Sequence, residues 1–220
     1  MDVDSDASVT NGVAAVLKEH GRLDALVACA GWGLAGAVER TPIIDAMAQF
    51  ETNFWGAARI VKAALPAMRE QGGGRIVLVS SIGGVIGLPF QAFYSASKFA
   101  LEGYAEALAY EVEPFGIQVT LVQPGNIRTD FTANRKQIAA SAIDSPYASA
   151  EAKAVGLMER DEANGAEPET VADVVARVLG ARRAPRRASV GKLDERVGIL
   201  GKRLLPHRLF ERAARSSLGV

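Results

Sequence analysis

Short runs rich in Val, Leu and Ile alternate along this chain with longer stretches whose apolar residues return every three or four positions. The first pattern is that of a buried strand, the second that of an amphipathic helix. Residues 8–20 fit a helix with Val9, Val13, Val16 and Leu17 on one face. "LDALVACAG" follows as a short buried strand over 24–29 that ends in a glycine turn. Thr41-Pro42 offers an N-cap and a first helical residue. The long helical segment it opens runs through "FETNFWGAARIVKAALPAMRE" and stops at "QGGG". "RIVLVSS" (75–81) predicts the next strand; after a Gly-rich loop an Ala-rich helix runs to Val112, ended by Pro114 and Gly116. "IQVTLV" (117–122) predicts another strand, whereas residues 130–165 show no clean period. "PETVADVVARVLGA" (168–181) fits a capped helix and "RASVG" a last short strand. Such alternation predicts an α/β domain with a mostly parallel sheet. That domain spans residues 1–191, and a basic amphipathic helical tail, with Leu193, Val197, Leu200 and Leu204 at helical spacing, occupies 192–220.

The 220 residues are 49% hydrophobic, enough to bury one sizeable core. The single cysteine, Cys29, sits in an apolar run. It reads as a small buried hydrophobe, and its solitude points to a reducing, cytoplasmic setting without disulfides. No apolar stretch reaches 18 residues without a charge, and the start "MDVDSDASV" is acidic. Neither a transmembrane helix nor a signal peptide is expected. Net charge is zero but polarised: residues 1–180 hold 14 Lys+Arg against 22 Asp+Glu, and residues 181–220 hold 11 against 3. A basic tail of this kind serves anionic lipid, nucleic acid, a phosphate-bearing ligand, or the acidic remainder of its own fold.

Candidate chemistry centres on Tyr94 and Lys98, four residues apart and so on one helix face. They form either a core tyrosine beside a snorkelling lysine or a phenol whose pKa a neighbouring cation lowers for proton transfer. Ser81 ends a buried strand thirteen residues earlier, and the Gly-rich loop between them can fold back to join the two. Sites in open α/β sheets collect at such carboxyl ends. Asn53 is an amide inside an apolar helical stretch, and Pro124-Gly125 directly follows the next strand.

Taken together, "ACAG" (28–31), Asn53 in "ETNFWG", Ser81 in "VLVSSIGG", "YSASK" (94–98) and "PGNIRT" (124–129) resemble the short-chain dehydrogenase/reductase family in order and spacing. The resemblance implies a Rossmann-like doubly wound parallel sheet and an NAD(P) cofactor, with NADP favoured. It implies Tyr94 as general acid/base and Lys98 as the cation that lowers its pKa and holds the nicotinamide ribose. Ser81 would hydrogen-bond the substrate oxygen, and Asn53 would position a water in a proton relay. Cofactor contacts would fall to Asp2, Ala30, Gly31, Tyr94, Lys98, Pro124, Gly125, Ile127 and Thr129. "FYSASKFALEG" is further similar to the hydroxysteroid and retinol dehydrogenases. That implies a lipophilic alcohol or carbonyl substrate in a pocket walled by Leu88, Phe90, Phe93, Phe131 and Tyr147. A homodimer or homotetramer joined through the long helices, no nucleic acid, and a peripheral membrane contact of the tail complete the expected partners.

Plainer readings stand beside these. Asn53 serves equally as a structural helix amide, Thr129 as a turn cap, and Trp32, Phe54 and Trp55 as core or pocket wall. The family's opening strand, Gly-rich turn, helix and second strand, which bind the pyrophosphate, have no counterpart ahead of "MDVDSDASV". The sheet is therefore expected to lack those two strands and the glycine loop, leaving "LDALVAC" with an open edge. A late start assignment explains this, as does a true truncation or completion by another chain. The alternative function is a non-catalytic homologue that keeps the site by descent and acts through binding.

Overall fold

The computed structural model describes residues 1–138 and 145–218. Its strands are β1 (Ala25–Ala28), β2 (Leu34–Ala35), β3 (Gly74–Val79), β4 (Ile117–Pro124), β5 (Lys136–Gln137) and β6 (Arg187–Val190). The helices are α1 (Asp6–His20), α2 (Ile43–Phe50), α3 (Ala57–Glu70), α4 (Ala92–Val112), α5 (Ala148–Ala163), α6 (Pro168–Gly180), α7 (Leu193–Leu204) and α8 (His207–Ser217). The main sheet is parallel throughout in the order β1-β3-β4-β6, with Leu26 opposite Ile76 and Ile76 opposite Val119. β2 and β5 form a separate two-residue parallel pair.

Because side chains alternate along a strand, the sheet has two distinct faces. On one, Leu26, Ile76, Leu78, Val119 and Leu121 meet α1, α3 and α4 through Val9, Val61, Met68, Leu101 and Leu108 in a single buried cluster. On the other, Val77, Val122 and Val190 pack under Val178 and its neighbours from α6. Val27, on β1, stays 37% exposed. Among the described residues β1 pairs with β3 alone, so it forms an edge of the sheet, as expected.

The long segment from 41 to 70 is not one regular helix. Thr41 lies before it with its hydroxyl donating to Ala37 O at 2.9 Å, Pro42 takes the N-cap position, and α2 starts at Ile43. Between α2 and α3, residues Glu51–Gly56 form a π-helical turn. The extra residue shifts the face on which the following side chains fall, and Asn53 lies within it. The segment 130–165, which lacked a period, holds β5 and α5; its residues 139–144 lie outside the described residues. α5 escapes the pattern because only Ala154 and Val155 of its residues are fully buried.

Part of the basic tail neutralises the fold itself. Arg186 pairs with Glu113 at 3.0 Å, and Arg187 bridges Glu102 at 3.0 Å and Glu106 at 2.8 Å on α4. α4 ends as the sequence predicts: Gly116 adopts φ 72°, and a Cβ there would lie 2.7 Å from Gly72 O. Gly116→Ala is therefore expected to lower the unfolding free energy by about 1–3 kcal/mol, read as a shifted urea midpoint at unchanged slope.

Candidate active site

Ser80 and Ser81 follow the last residue of β3, at the carboxyl end of the sheet. Ser81 caps a single 3₁₀ turn, Ile82–Gly84, by accepting from Gly83 N–H at 3.0 Å. The loop then folds back as the sequence predicts. A Cβ on Gly83 would lie 3.0 Å from the Tyr94 ring, and one on Gly84 would lie 3.1 Å from Lys98 O. Glycine at both positions lets the loop approach this closely without displacing its neighbours. α4 opens at Ala92, so Tyr94 and Lys98 occupy its first turns, both buried, and the Ser81 hydroxyl faces the Tyr94 phenol.

Lys98 turns its ammonium to Val79 O at 2.9 Å. Burial lowers its pKa from the ordinary 10.5 to about 8, partly offset by the neighbouring Cys29. The Tyr94 pKa moves the other way from the expectation. Burial raises it, the Ser81 hydrogen bond pulls it down, Glu162 pushes it up and Arg135 pulls it down. The Lys98 ammonium lies 6.0 Å from the ring centroid and adds nothing resolvable to that balance. The expected lowering of the phenol by Lys98 is therefore corrected: burial outweighs the charges around it.

A cavity of about 780 Å³ opens over these groups. Cys29, Gly31, Ser80, Ser81, Tyr94, Lys98, Pro124, Gly125, Ile127 and Thr129 line one part of it. Val27, Val79, Leu88, Met158, Val171, Val175, Leu179 and Leu218 make the remainder strongly apolar. Gly31 fits its expected place, since a Cβ would lie 3.1 Å from Asn53 Oδ1 and 3.5 Å from Lys98 Nζ. Ile127 is fixed by a bridge to Ala166, and Thr129 also acts as a turn cap, accepting from Phe131 N–H at 3.2 Å.

Several expectations are corrected. Asn53 is 1% exposed and its amide makes three hydrogen bonds. It accepts from Trp32 N–H at 2.9 Å, and donates to Trp32 O at 3.0 Å and Ser97 Oγ at 3.2 Å. Its side chain is thus a clamp between the 30–32 loop and α4, with both amide N–H groups spent there. Asp2 and Ala30 do not line the cavity. Asp2 instead builds the turn before α1, accepting from Asp4 N–H and donating its own N–H to Ser8. Of the expected pocket wall only Leu88 and Phe131 are present; Tyr147 points away to Glu39. Cys29 is exposed to the cavity rather than buried, and Trp55 is 51% exposed.

Two groups were invisible in the sequence. Glu195, on α7, holds the turn after β4. It accepts from Asn126 N–H at 3.0 Å, Asn126 Nδ2 at 2.7 Å and Lys192 N–H at 2.8 Å, and fills the notch that Gly125 and Gly191 leave open. Arg135, its side chain wholly buried, pairs with Glu162 behind the Phe131 ring, which stands edge-on to Tyr94 at 5.8 Å. Neither carries a motif, because each matters only through contacts far away in the chain.

The residues present suit the nicotinamide–ribose end of a dinucleotide. The buried Ser80 Oγ has no partner, Lys98 makes a single hydrogen bond, and Gly31 leaves a close backbone approach beside Lys98. No glycine turn for the pyrophosphate occurs among the described residues.

Comparison with known proteins agrees. The family model "short chain dehydrogenase" matches residues 1–139. A 3-ketodihydrosphingosine reductase from Bacteroides thetaiotaomicron is 40% identical over 215 residues, covering 98% of this chain and 80% of that protein. Retinol dehydrogenase 8 from Bos taurus is 36% identical over 193 residues, covering 85% of this chain and 61% of that protein. The crystal structure of a short-chain dehydrogenase from Streptomyces avermitilis superposes with a TM-score of 0.80 at 34% identity, covering 98% of this chain and 78% of that one.

Lys98 gives a stability signature. Between about 8 and 10.5 the unfolded chain holds a proton on this amine that the folded chain does not, so stability rises with pH through that window. Lys98→Met is expected to melt higher than wild type at pH 7, by a few degrees at about 2–4 °C per kcal/mol, with the gap closing toward pH 10.

Proposed function

Since the chain belongs to the short-chain dehydrogenase/reductase family, retinol dehydrogenase-like in its relatives, we propose that it reduces the carbonyl of a lipophilic small molecule to an alcohol. The observation that carries this reading is the meeting of Ser81, Tyr94 and Lys98 at the carboxyl end of β3, beneath a large apolar cavity. NAD(P)H, when bound, supplies the hydride. A carbonyl oxygen entering between Ser81 and Tyr94 would accept a hydrogen bond from each. Ser81 Oγ accepts from Gly83 N–H, and its one hydroxyl proton, turned to the Tyr94 phenol, would turn to the incoming oxygen. The Tyr94 phenol then passes its proton to the oxygen as negative charge develops there. Lys98 spends one donor on Val79 O and keeps the others for the ribose hydroxyls.

The Tyr94 phenol, protonated at neutral pH, is placed to act as the acid of a reduction. NADP is favoured over NAD because a solved relative at 34% identity is bound to NADP. The apolar lining supports a lipophilic substrate, as does the substrate named for the Bacteroides relative. The exposed face of Ile43, Ile44 and Met47 on α2 fits a homodimer or homotetramer. A reducing cytoplasm suits the exposed free thiol of Cys29, and the basic tail would meet a membrane from which such a substrate comes. No helix among the described residues is long and apolar enough to cross one.

NADPH titration by fluorescence and turnover of a lipophilic ketone test the reading. Tyr94→Phe should bind NADPH with unchanged affinity and lose about 10²–10⁴-fold in kcat; equal turnover would remove Tyr94 from the chemistry. Absent NADPH binding to the folded chain would favour the non-catalytic homologue. The wild-type rate of reduction should be level through neutral pH and fall above about 8, as Lys98 loses its proton.

A further inference from the structure

α7 presents two opposed faces. Toward the protein it sends Glu195 to the Pro124–Asn126 turn and buries Ile199, while the Lys202 ammonium lies over the Phe99 ring at 5.3 Å and the Phe210 ring at 5.9 Å. On the opposite side Leu193, Val197, Leu200 and Leu204 form one stripe, 75%, 55%, 53% and 72% exposed. Their spacing of four, three and four residues keeps them in line along the helix. Leu205 and Leu209 extend the exposed apolar surface into α8.

Charge accompanies that surface. Residues 192–218 hold seven basic side chains against three acidic ones. Arg208, Arg212 and Arg215 share an exposed face of α8 at helical spacing and, like Arg196 and Arg203 beside the α7 stripe, make no ion pair among the described residues. This contrasts with Arg186 and Arg187, which the acidic α4 neutralises. An apolar stripe edged by uncompensated arginines matches the interface of an anionic bilayer, where aliphatic groups enter the acyl boundary and the guanidinium groups meet phosphates. A second copy fits less well, because symmetric pairing of this face would bring the same arginines against each other.

We propose that the α7–α8 hairpin docks on the surface of a bilayer rich in anionic lipid. Leu218, directly after α8, lines the cavity together with Val171, Val175 and Leu179. The chain that ends the docking segment therefore reaches the apolar wall of the cavity, which would give a lipophilic molecule from the bilayer a path toward Tyr94. That path rests on the proposed lipophilic substrate; the docking does not.

The test is co-sedimentation of the full chain with vesicles of pure phosphatidylcholine and with vesicles containing about a third phosphatidylserine. Wild type is expected to bind the anionic vesicles and to be released by high salt. The doubly substituted Val197→Glu, Leu200→Glu chain should bind at least tenfold more weakly, with NADPH binding and melting temperature unchanged. A second variant replacing Arg208, Arg212 and Arg215 by Gln leaves the stripe intact, and should lose the preference for anionic vesicles. Equal sedimentation of wild type and both variants would overturn docking through this face. So would a dimer by light scattering that Leu200→Glu dissolves, with no vesicle binding by wild type. NADPH binding measured on the same preparations keeps the two proposals apart: its absence with vesicle binding intact counts against the reaction alone.

Discussion

The hydrogen bond from the Lys98 ammonium to Val79 O ties the first turns of α4 to the end of β3. It is made at the carboxyl end of β3, where the backbone leaves the sheet, and in a buried setting that lowers the amine's pKa. A charge held there is costly unless a strong acceptor faces it, and the strand's last carbonyl is that acceptor. With Lys98 anchored, the helix turn before it places Tyr94 over Ser81. Glycines at 83 and 84 then let the connecting loop lie between strand and helix without clash. The same bond that positions the phenol keeps the ammonium beside it, so the site is assembled by the packing of one helix on one strand end.

Around this joint the other elements act as supports. Asn53 reaches across from the π turn to hold both backbone groups of Trp32 and the hydroxyl of Ser97, which in turn donates to Tyr94 O at 2.7 Å. A regular helix would carry the amide on a different face, and the extra residue of the π turn directs it here. The network links the loop after β1 to the helix that carries the phenol. On the far side, the Phe131 ring stands between Tyr94 and the buried Arg135, and Glu162 balances that arginine. The phenol thus sits between a polar clamp and an ion pair, but burial still decides the direction of its pKa.

The parts of this arrangement that could be read in the sequence are those governed by local rules. The strands of the main sheet follow from Val-rich runs, α4 from its Ala-rich stretch, and its end from Gly116, whose positive φ and tight contact with Gly72 admit no side chain. The pairing of Tyr94 with Lys98 and the folding back of the loop follow from spacing and from glycine. What was not legible depends on contacts distant in sequence. Glu195 lies 69 residues from Asn126, and Glu162 lies 27 from Arg135. The π turn leaves no mark in "FETNFWG", and Cys29 looked buried because the neighbours of its strand were assumed rather than observed. Asp2 belonged to a site inferred from family position, while its own backbone bonds tie it to the turn before α1.

The two faces of the sheet explain why the cavity is both large and apolar. α1, α3 and α4 close one face completely, whereas α6 shields the other over β3, β4 and β6 and leaves Val27 of β1 open. Polar groups gather at the strand ends and at Gln91, Asp161 and Glu162, and the remaining wall is mostly aliphatic. The turn after β4 forms the boundary between those regions, and Glu195 rather than the turn's own sequence holds it closed. Glu195 stands on the helix whose opposite side bears the exposed leucines. One helix thereby joins the outer face of the protein to the edge of the cavity.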